Sequence, residues 1–294
     1  MKRVLWALLG VLGGGVLLMV ASLLFVRFAP QAVGLMVTPE GMRAYFDEAS
    51  APMPALNRLE LDGKPMAWAA TGPADGPIVL FIHGSPGDWM AWKGFFVDPA
   101  LRHLRLLAVD RPGYGGSGRG QPMPSLEAQA RMVAAVLREE GAEQAPALLV
   151  GHSLGGPVAG QVAVDHPNLV GGLVLAAASV DPELEETKWI QIPASWRGLR
   201  WLLPPELDVC NQEILPLRGE LELLAKRWAG IDVPVHVIQG GADELVPPGN
   251  ADFLESRLPE AEFVRVPAMS HFVPWRRPDL IRAAILHLKE KTKT

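Results

Sequence analysis

Within Ala147-Leu148-Leu149-Val150-Gly151-His152-Ser153-Leu154-Gly155-Gly156 a short apolar run stops at a serine flanked by glycines. Pro157 to Ala163 then continues with helix-like composition. Gly151-x-Ser153-x-Gly155 is the pattern of a nucleophile elbow, a tight strand-to-helix turn that lifts a serine hydroxyl clear of the backbone. The flanking glycines leave room where helix and strand pack closely. Pro157 falls in the first helical turn, where the amide it lacks would have had no partner inside the helix. A glycine-rich turn with an ordinary surface serine satisfies the same ten residues, so the rest of the chain has to decide.

The 294 residues are enough for one substantial core with a small inserted subdomain. A net charge of −5 without a basic block, apart from the tail Lys289-Glu290-Lys291-Thr292-Lys293, argues against a nucleic-acid partner. Cys210 is the single cysteine, which rules out an intrachain disulfide and a cysteine-based metal site. No histidine pair has helical ligand spacing, so neither a metal nor another cofactor is expected.

Part of the apolar excess sits at the start. Met1-Lys2-Arg3 precedes Val4–Val26, 23 residues without a charge, closed by Arg27. A helix of that length measures about 34 Å, enough to cross a hydrocarbon core of about 30 Å with some tilt. The run exceeds the apolar region of a cleaved signal peptide, and Val20-Ala21-Ser22 is a poor cleavage site because Leu23–Val26 prolongs the run. It also lacks the polar face of a buried core helix. Residues 1–30 are therefore expected to be an uncleaved transmembrane signal anchor. Lys2 and Arg3 favour the cytoplasmic side, which puts the rest of the chain on the extracytoplasmic side.

Residues 31–57, with Pro30, Pro39, Pro52 and Pro54 in or beside them, read as a juxtamembrane linker with one short helix around 41–49. Arg58–Leu61 and Met66–Thr71 around Asp62-Gly63 read as an opening hairpin. Ile78–Ile82 is apolar on both faces, as a strand inside a parallel sheet should be, and similar runs follow at 104–109, 147–150, 170–176, 233–238 and 263–266. Helical stretches such as Ser125–Glu140, with Ser125 as N-cap, alternate with them. The expectation is an α/β fold with a mostly parallel, doubly wound sheet over 58–180 and 231–294. Between them about 50 residues, 181–230, separate two strands where a crossover needs far fewer. They hold Trp189, Trp196, Trp201 and Trp228, and Leu217, Leu221, Leu224, Ala225 and Trp228 share one helical face. A small helical cap is expected there.

A serine needs a base, and the base an orienting acid. Asp243 follows the run 233–238, and His271 follows 263–266. Each residue alone would be an ordinary loop residue. Serine, aspartate and histidine at three strand ends, in that chain order, form the expected triad Ser153, Asp243, His271. An oxyanion needs two pre-aimed amides. One is expected from Leu154, after the nucleophile, and one from Ser85 in His83-Gly84-Ser85-Pro86-Gly87, since Pro86 has no amide to offer. His83 and His152 sit in motifs that shape backbone and are read as structural.

These motifs, with Asp110-Arg111-Pro112-Gly113-Tyr114-Gly115-x-Ser117, Gly241-x-Asp243-x-Leu245-Val246-Pro247 and His271-Phe272, resemble the α/β-hydrolase superfamily over about residues 58–290. The resemblance implies a serine hydrolase with a cap, and makes 110–117 a structural loop beside the site. Epoxide hydrolases and haloalkane dehalogenases of this superfamily carry aspartate where this chain has Ser153. Proline iminopeptidases usually carry tryptophan where it has Leu154. The expected activity is hydrolysis of carboxylic esters of apolar acyl groups, with Trp189, Trp196 and Trp201 lining the acyl pocket. A C–C bond or amide hydrolase with the same triad, and a non-enzymatic binding protein on the same fold, stay open.

Overall fold

The structure is a computed structural model and describes residues 39–291 together with Ser22. The apolar run Val4–Val26 lies, apart from Ser22, outside the described residues. Among those described, no helix is long and apolar enough to cross a membrane.

Eight strands form one sheet: β1 (Ala55–Leu61), β2 (Lys64–Thr71), β3 (Ile78–Ile82), β4 (Arg105–Asp110), β5 (Ala147–His152), β6 (Val170–Ala176), β7 (Val235–Gly240) and β8 (Glu262–Val266), in the order β1-β2-β4-β3-β5-β6-β7-β8. β2 is antiparallel to both of its neighbours, and every pair from β4 onward is parallel. The β1–β2 hairpin turns on Asp62 (φ 54°) and Gly63 (φ 71°), both left-handed, which matches the twist of the flanking strands. β1 begins at Ala55, inside the stretch expected to be linker.

Six helices exceed two turns among the described residues: α1 (Pro39–Glu48), α2 (Leu126–Glu139), α3 (Gly155–Asp165), α4 (Pro205–Ala225), α5 (Gly249–Arg257) and α6 (Pro278–Lys291). Ser125 caps α2 as expected, its Oγ accepting from Ala128 N at 3.3 Å. α1 is no free tether, because Phe46 is wholly buried against the second face of the sheet.

The alternation of side chains along the central strands divides the core in two. Ile78, Leu80 and Ile82 of β3 join Leu149 and helices α2 and α3 on one face; Val79 and Phe81 join Val150, Trp92, Phe95 and α6 on the other. Both faces of β3 are therefore buried, which accounts for its unbroken apolar run.

Residues 181–230 are helical turns followed by α4, with turns at 191–194 and 197–200. Of the predicted apolar face, Leu217, Leu221, Leu224 and Trp228 are buried in the first core cluster, and Ala225 is half-buried. Pro216 lies inside α4, between Glu213 and Leu217, and its missing amide leaves one bond of the otherwise continuous helix unmade.

Candidate active site

β5 ends at His152 and α3 begins at Gly155, so Ser153 has to turn the chain within two residues. Its φ is 55°, a left-handed value rare for a residue with a side chain. Ser153 N donates to Ala176 O at 3.1 Å, while Ser153 O accepts from Gly156 N at 2.9 Å and Ser179 N at 3.3 Å. A Cβ on Gly151 would lie 2.4 Å from Gly155 O, and one on Gly155 would lie 2.2 Å from Ile82 O. The flanking glycines are thus required by close approach, and the strain at Ser153 is held by its surroundings.

Asp243 and His271 occupy loops beyond β7 and β8. Asp243 is buried; its Oδ1 accepts from Leu245 N at 3.0 Å and Val246 N at 2.8 Å, and its Oδ2 accepts from His271 Nδ1 at 2.8 Å. The adjacent Glu244 is exposed. A proton on Nδ1 leaves Nε2 of His271 as the basic nitrogen. Ser153 Oγ takes no protein hydrogen bond among the described residues, and such bonds commonly tighten only when substrate is present.

His152 joins the elbow to the His271 loop. Its Nε2 donates to His271 O at 3.1 Å, and the two rings lie 4.7 Å apart between centroids. Burial, reinforced by the neighbouring His271, pushes the His152 pKa down to about 3. This histidine is neutral and holds a loop.

His83-Gly84-Ser85 is held just as firmly. Arg111 N donates to His83 Nε2 at 2.9 Å, so the ring proton is on Nδ1, which donates to Gly84 O at 2.6 Å. Burial and Arg111 keep His83 well below the usual histidine range. Arg111 Nε donates to His83 O at 2.8 Å, and Arg111 Nη2 to Gly84 O at 2.9 Å. A Cβ on Gly84 would sit 2.8 Å from Ser153 Cβ, so this loop lies against the elbow. Among the described residues neither Ser85 N–H nor Leu154 N–H donates to a protein acceptor. Two unpaired amides beside the elbow can receive an anionic oxygen.

Sequence reasoning placed Arg111 and Tyr114 in the loop 110–117 beside the site but missed the carboxylate on which they converge. Glu213 of α4 and Arg111 are paired at 2.9 Å, 1% and 0% exposed respectively. Glu213 Oε2 also accepts from Ser85 Oγ at 2.7 Å and Tyr114 OH at 2.8 Å, and Glu213 Oε1 accepts from Gln129 Nε2 at 3.2 Å. Against full burial, the Glu213 carboxylate holds Arg111 above its ordinary pKa. Asp110 ties its own loop to the turn after 83–87, accepting from Gly116 N and Trp89 N at 2.8 Å each, and burial pushes it up to about 6.

Trp189, Trp196 and Trp201 are not brought into a closed pocket. They are 79%, 60% and 54% exposed, because the turns that carry them precede α4 and contribute nothing to either core cluster. Leu245, Phe272 and Trp275, beside Asp243 and His271, are exposed as well.

The sheet, the elbow and the loops define a hydrolase of the doubly wound α/β class. The sequence matches the alpha/beta hydrolase family over residues 79–284, and the chain belongs to that family. It is 27% identical over 270 residues to a pimeloyl-[acyl-carrier protein] methyl ester esterase of Yersinia pseudotuberculosis, covering 78% of this chain and 99% of that one. It is also 27% identical over 274 residues to a dihydrolipoyllysine-residue acetyltransferase component of an acetoin cleaving system from Pseudomonas putida, covering 83% of this chain and 71% of that one. Among solved structures, a membrane phospholipase A superposes with a TM-score of 0.67 at 19% identity, covering 100% of both chains.

Proposed function

We propose that this hydrolase cleaves carboxylic esters of apolar acyl groups with Ser153 as nucleophile, His271 as base and Asp243 as orienting acid. The observation that carries the reading is the buried His271 Nδ1–Asp243 Oδ2 bond of 2.8 Å beside a serine at φ 55°. His271 Nε2 takes the Ser153 proton as Oγ attacks the acyl carbonyl, and the Ser85 and Leu154 amides receive the oxyanion. Asp243 holds the tautomer and stabilises the imidazolium. His271 returns the proton to the leaving alcohol, and water then hydrolyses the acyl-enzyme by the same route. The similarity to a methyl ester esterase supports an ester over a C–C or amide bond. The exposed aromatic side chains around the triad loops and the cap suit an apolar acyl chain. The uncharged run Val4–Val26 supports a single-pass anchor with the catalytic domain on the extracytoplasmic side.

A fluorophosphonate probe followed by peptide mapping tests the centre. The wild type is expected to be labelled on Ser153, and Ser153→Ala to lose both the label and hydrolysis of short activated esters, by about 10⁴–10⁶ in kcat. Wild-type turnover in that variant would sink the assignment. A panel of esters, amides and β-diketones separates the bond types.

A further inference from the structure

The pair formed by Glu213 of the cap helix and Arg111 stands directly behind the loop that contains Ser85. The Gly84–Ser85 peptide is trans, so its C=O and N–H point in opposite directions. Arg111 Nη2 and His83 Nδ1 both donate to Gly84 O, at 2.9 and 2.6 Å. Holding that carbonyl from behind turns Ser85 N–H the other way, and that amide has no protein acceptor among the described residues. The Arg111 guanidinium is in turn fixed from the cap, where Glu213 takes Nη1 at 2.9 Å and Nη2 at 3.2 Å. The same carboxylate accepts from Ser85 Oγ, and Tyr114 OH, 2.6 Å from Ser85 Oγ, closes the group. Glu213 therefore reaches the peptide on both sides: through Arg111 to its carbonyl, and through the hydroxyl to the residue that bears its N–H.

We infer that Glu213 is a positioning residue: seated on the sheet domain by α4, it aims the Ser85 amide through Arg111 and so joins correct docking of the cap to stabilisation of the oxyanion. This rests on the triad and oxyanion reading above. Such an interaction acts on the developing charge and not on the bound ester, so its loss should appear in kcat and leave KM nearly unchanged.

The test replaces the pair in two ways. Glu213→Gln leaves the buried Arg111 charge without its partner. Arg111→Met combined with Glu213→Met removes both charges and keeps apolar volume, a change that buried pairs often tolerate. Turnover of a short, soluble ester is referred to the fraction of Ser153 that a fluorophosphonate labels to completion, so unfolded chain drops out. Both variants are expected to lose about 10–100-fold in kcat with KM within about threefold, less than the loss of a whole oxyanion donor because the amide is mis-aimed and not removed. Affinity for an alkyl boronic acid, which mimics the tetrahedral species, should fall by the same factor. The double variant should melt close to the wild type. A double variant that does not fold, or that folds and turns over like the wild type, assigns the pair to the scaffold and overturns the inference. A loss confined to KM does the same. If the wild type is not labelled at Ser153, the failure belongs to the triad reading; if it is labelled and the double variant is fully active, only the role of Glu213 falls.

Discussion

His271 has two carboxylates within reach of its loop in sequence, Asp243 and Glu244, and bonds the buried one. Asp243→Asn is expected to lower kcat by up to about 10⁴, because an amide in that place favours the wrong histidine tautomer. Glu244→Gln should change kcat little, since its side chain faces solvent. Steady-state kinetics on both variants checks the order, and the reverse ranking would mean the other carboxylate does the work. The proposed grouping of Ser153, Asp243 and His271 was legible from three strand ends taken together and in that chain order, since each residue alone reads as an ordinary loop residue. Arg111 was legible only as part of the loop 110–117 beside the site, and Glu213 was not legible at all. They lie 102 positions apart, and a glutamate on a helix otherwise looks like part of a solvated face. Only the fold brings that carboxylate beneath the cap, where Ser85, Tyr114 and Gln129 converge on it.

At the scale of elements, the strand runs were legible from their apolar character, since β3, β5 and β6 are covered on both faces. Their ends shifted by a residue or two: β7 runs Val235–Gly240, where 233–238 was expected. Trp189, Trp196 and Trp201 of the expected cap were predicted to line an acyl pocket, but composition does not report whether such aromatic surface is covered, and here these three are exposed. Trp189, Trp196 and Trp201 pack into neither core cluster, so replacing each by Ala should move the melting temperature little. Each CH₂ that an acyl chain buries against them is worth about 0.8 kcal/mol, close to fourfold in kcat/KM if the contact persists in the transition state. Activity should rise along a series of acyl esters and flatten in these variants. A wild-type profile that falls from acetate onward would mean that the site is small or polar.

At the scale of the molecule, acid should be the sensitive direction. His83 and His152 are held below the ordinary histidine pKa of 6.5 in the folded state, His152 at about 3. Below pH 6.5 the unfolded chain takes up protons that the folded one refuses, so stability falls as pH drops, by roughly 1.4 kcal/mol per unit for His152 until its folded pKa is reached, and in the same direction for His83. Asp110 works the other way: with its folded pKa near 6 against 3.8 unfolded, it adds stability as pH falls through 6. His166 and His236 are lowered in the same sense as the first two histidines, and Asp88 and Glu185 are raised like Asp110, so four histidines against three carboxyls leave a net loss as pH falls below 6.5. Melting curves over that range should be shallower for His152→Gln than for the wild type, and parallel curves would show that this histidine titrates normally. The proposed anchor has a simpler test. The full chain should stay with membranes through an alkaline carbonate wash, and a chain starting at Gln31 should be soluble and active. Release of the full chain by carbonate would contradict the anchor.

α4 belongs to two structures at once, and this bears on how such enzymes can diverge. Its first half carries Glu213 onto the Ser85 loop, and its second half sends Leu217, Leu221 and Leu224 into the core beside α3. Lids are the parts that relatives would trade to acquire new substrates. Here the natural seam for such an exchange lies at Pro204-Pro205, not at the ends of the flanking strands. A chimera that replaces 185–204 would exchange the segment proposed to meet the acyl chain and keep Glu213 and the leucines of α4, provided that the new segment restores the Arg200–Asp208 tie to α4. One that replaces 181–230 whole removes a wall of the interior together with the carboxylate behind Ser85. Its descendants would have to reinvent both.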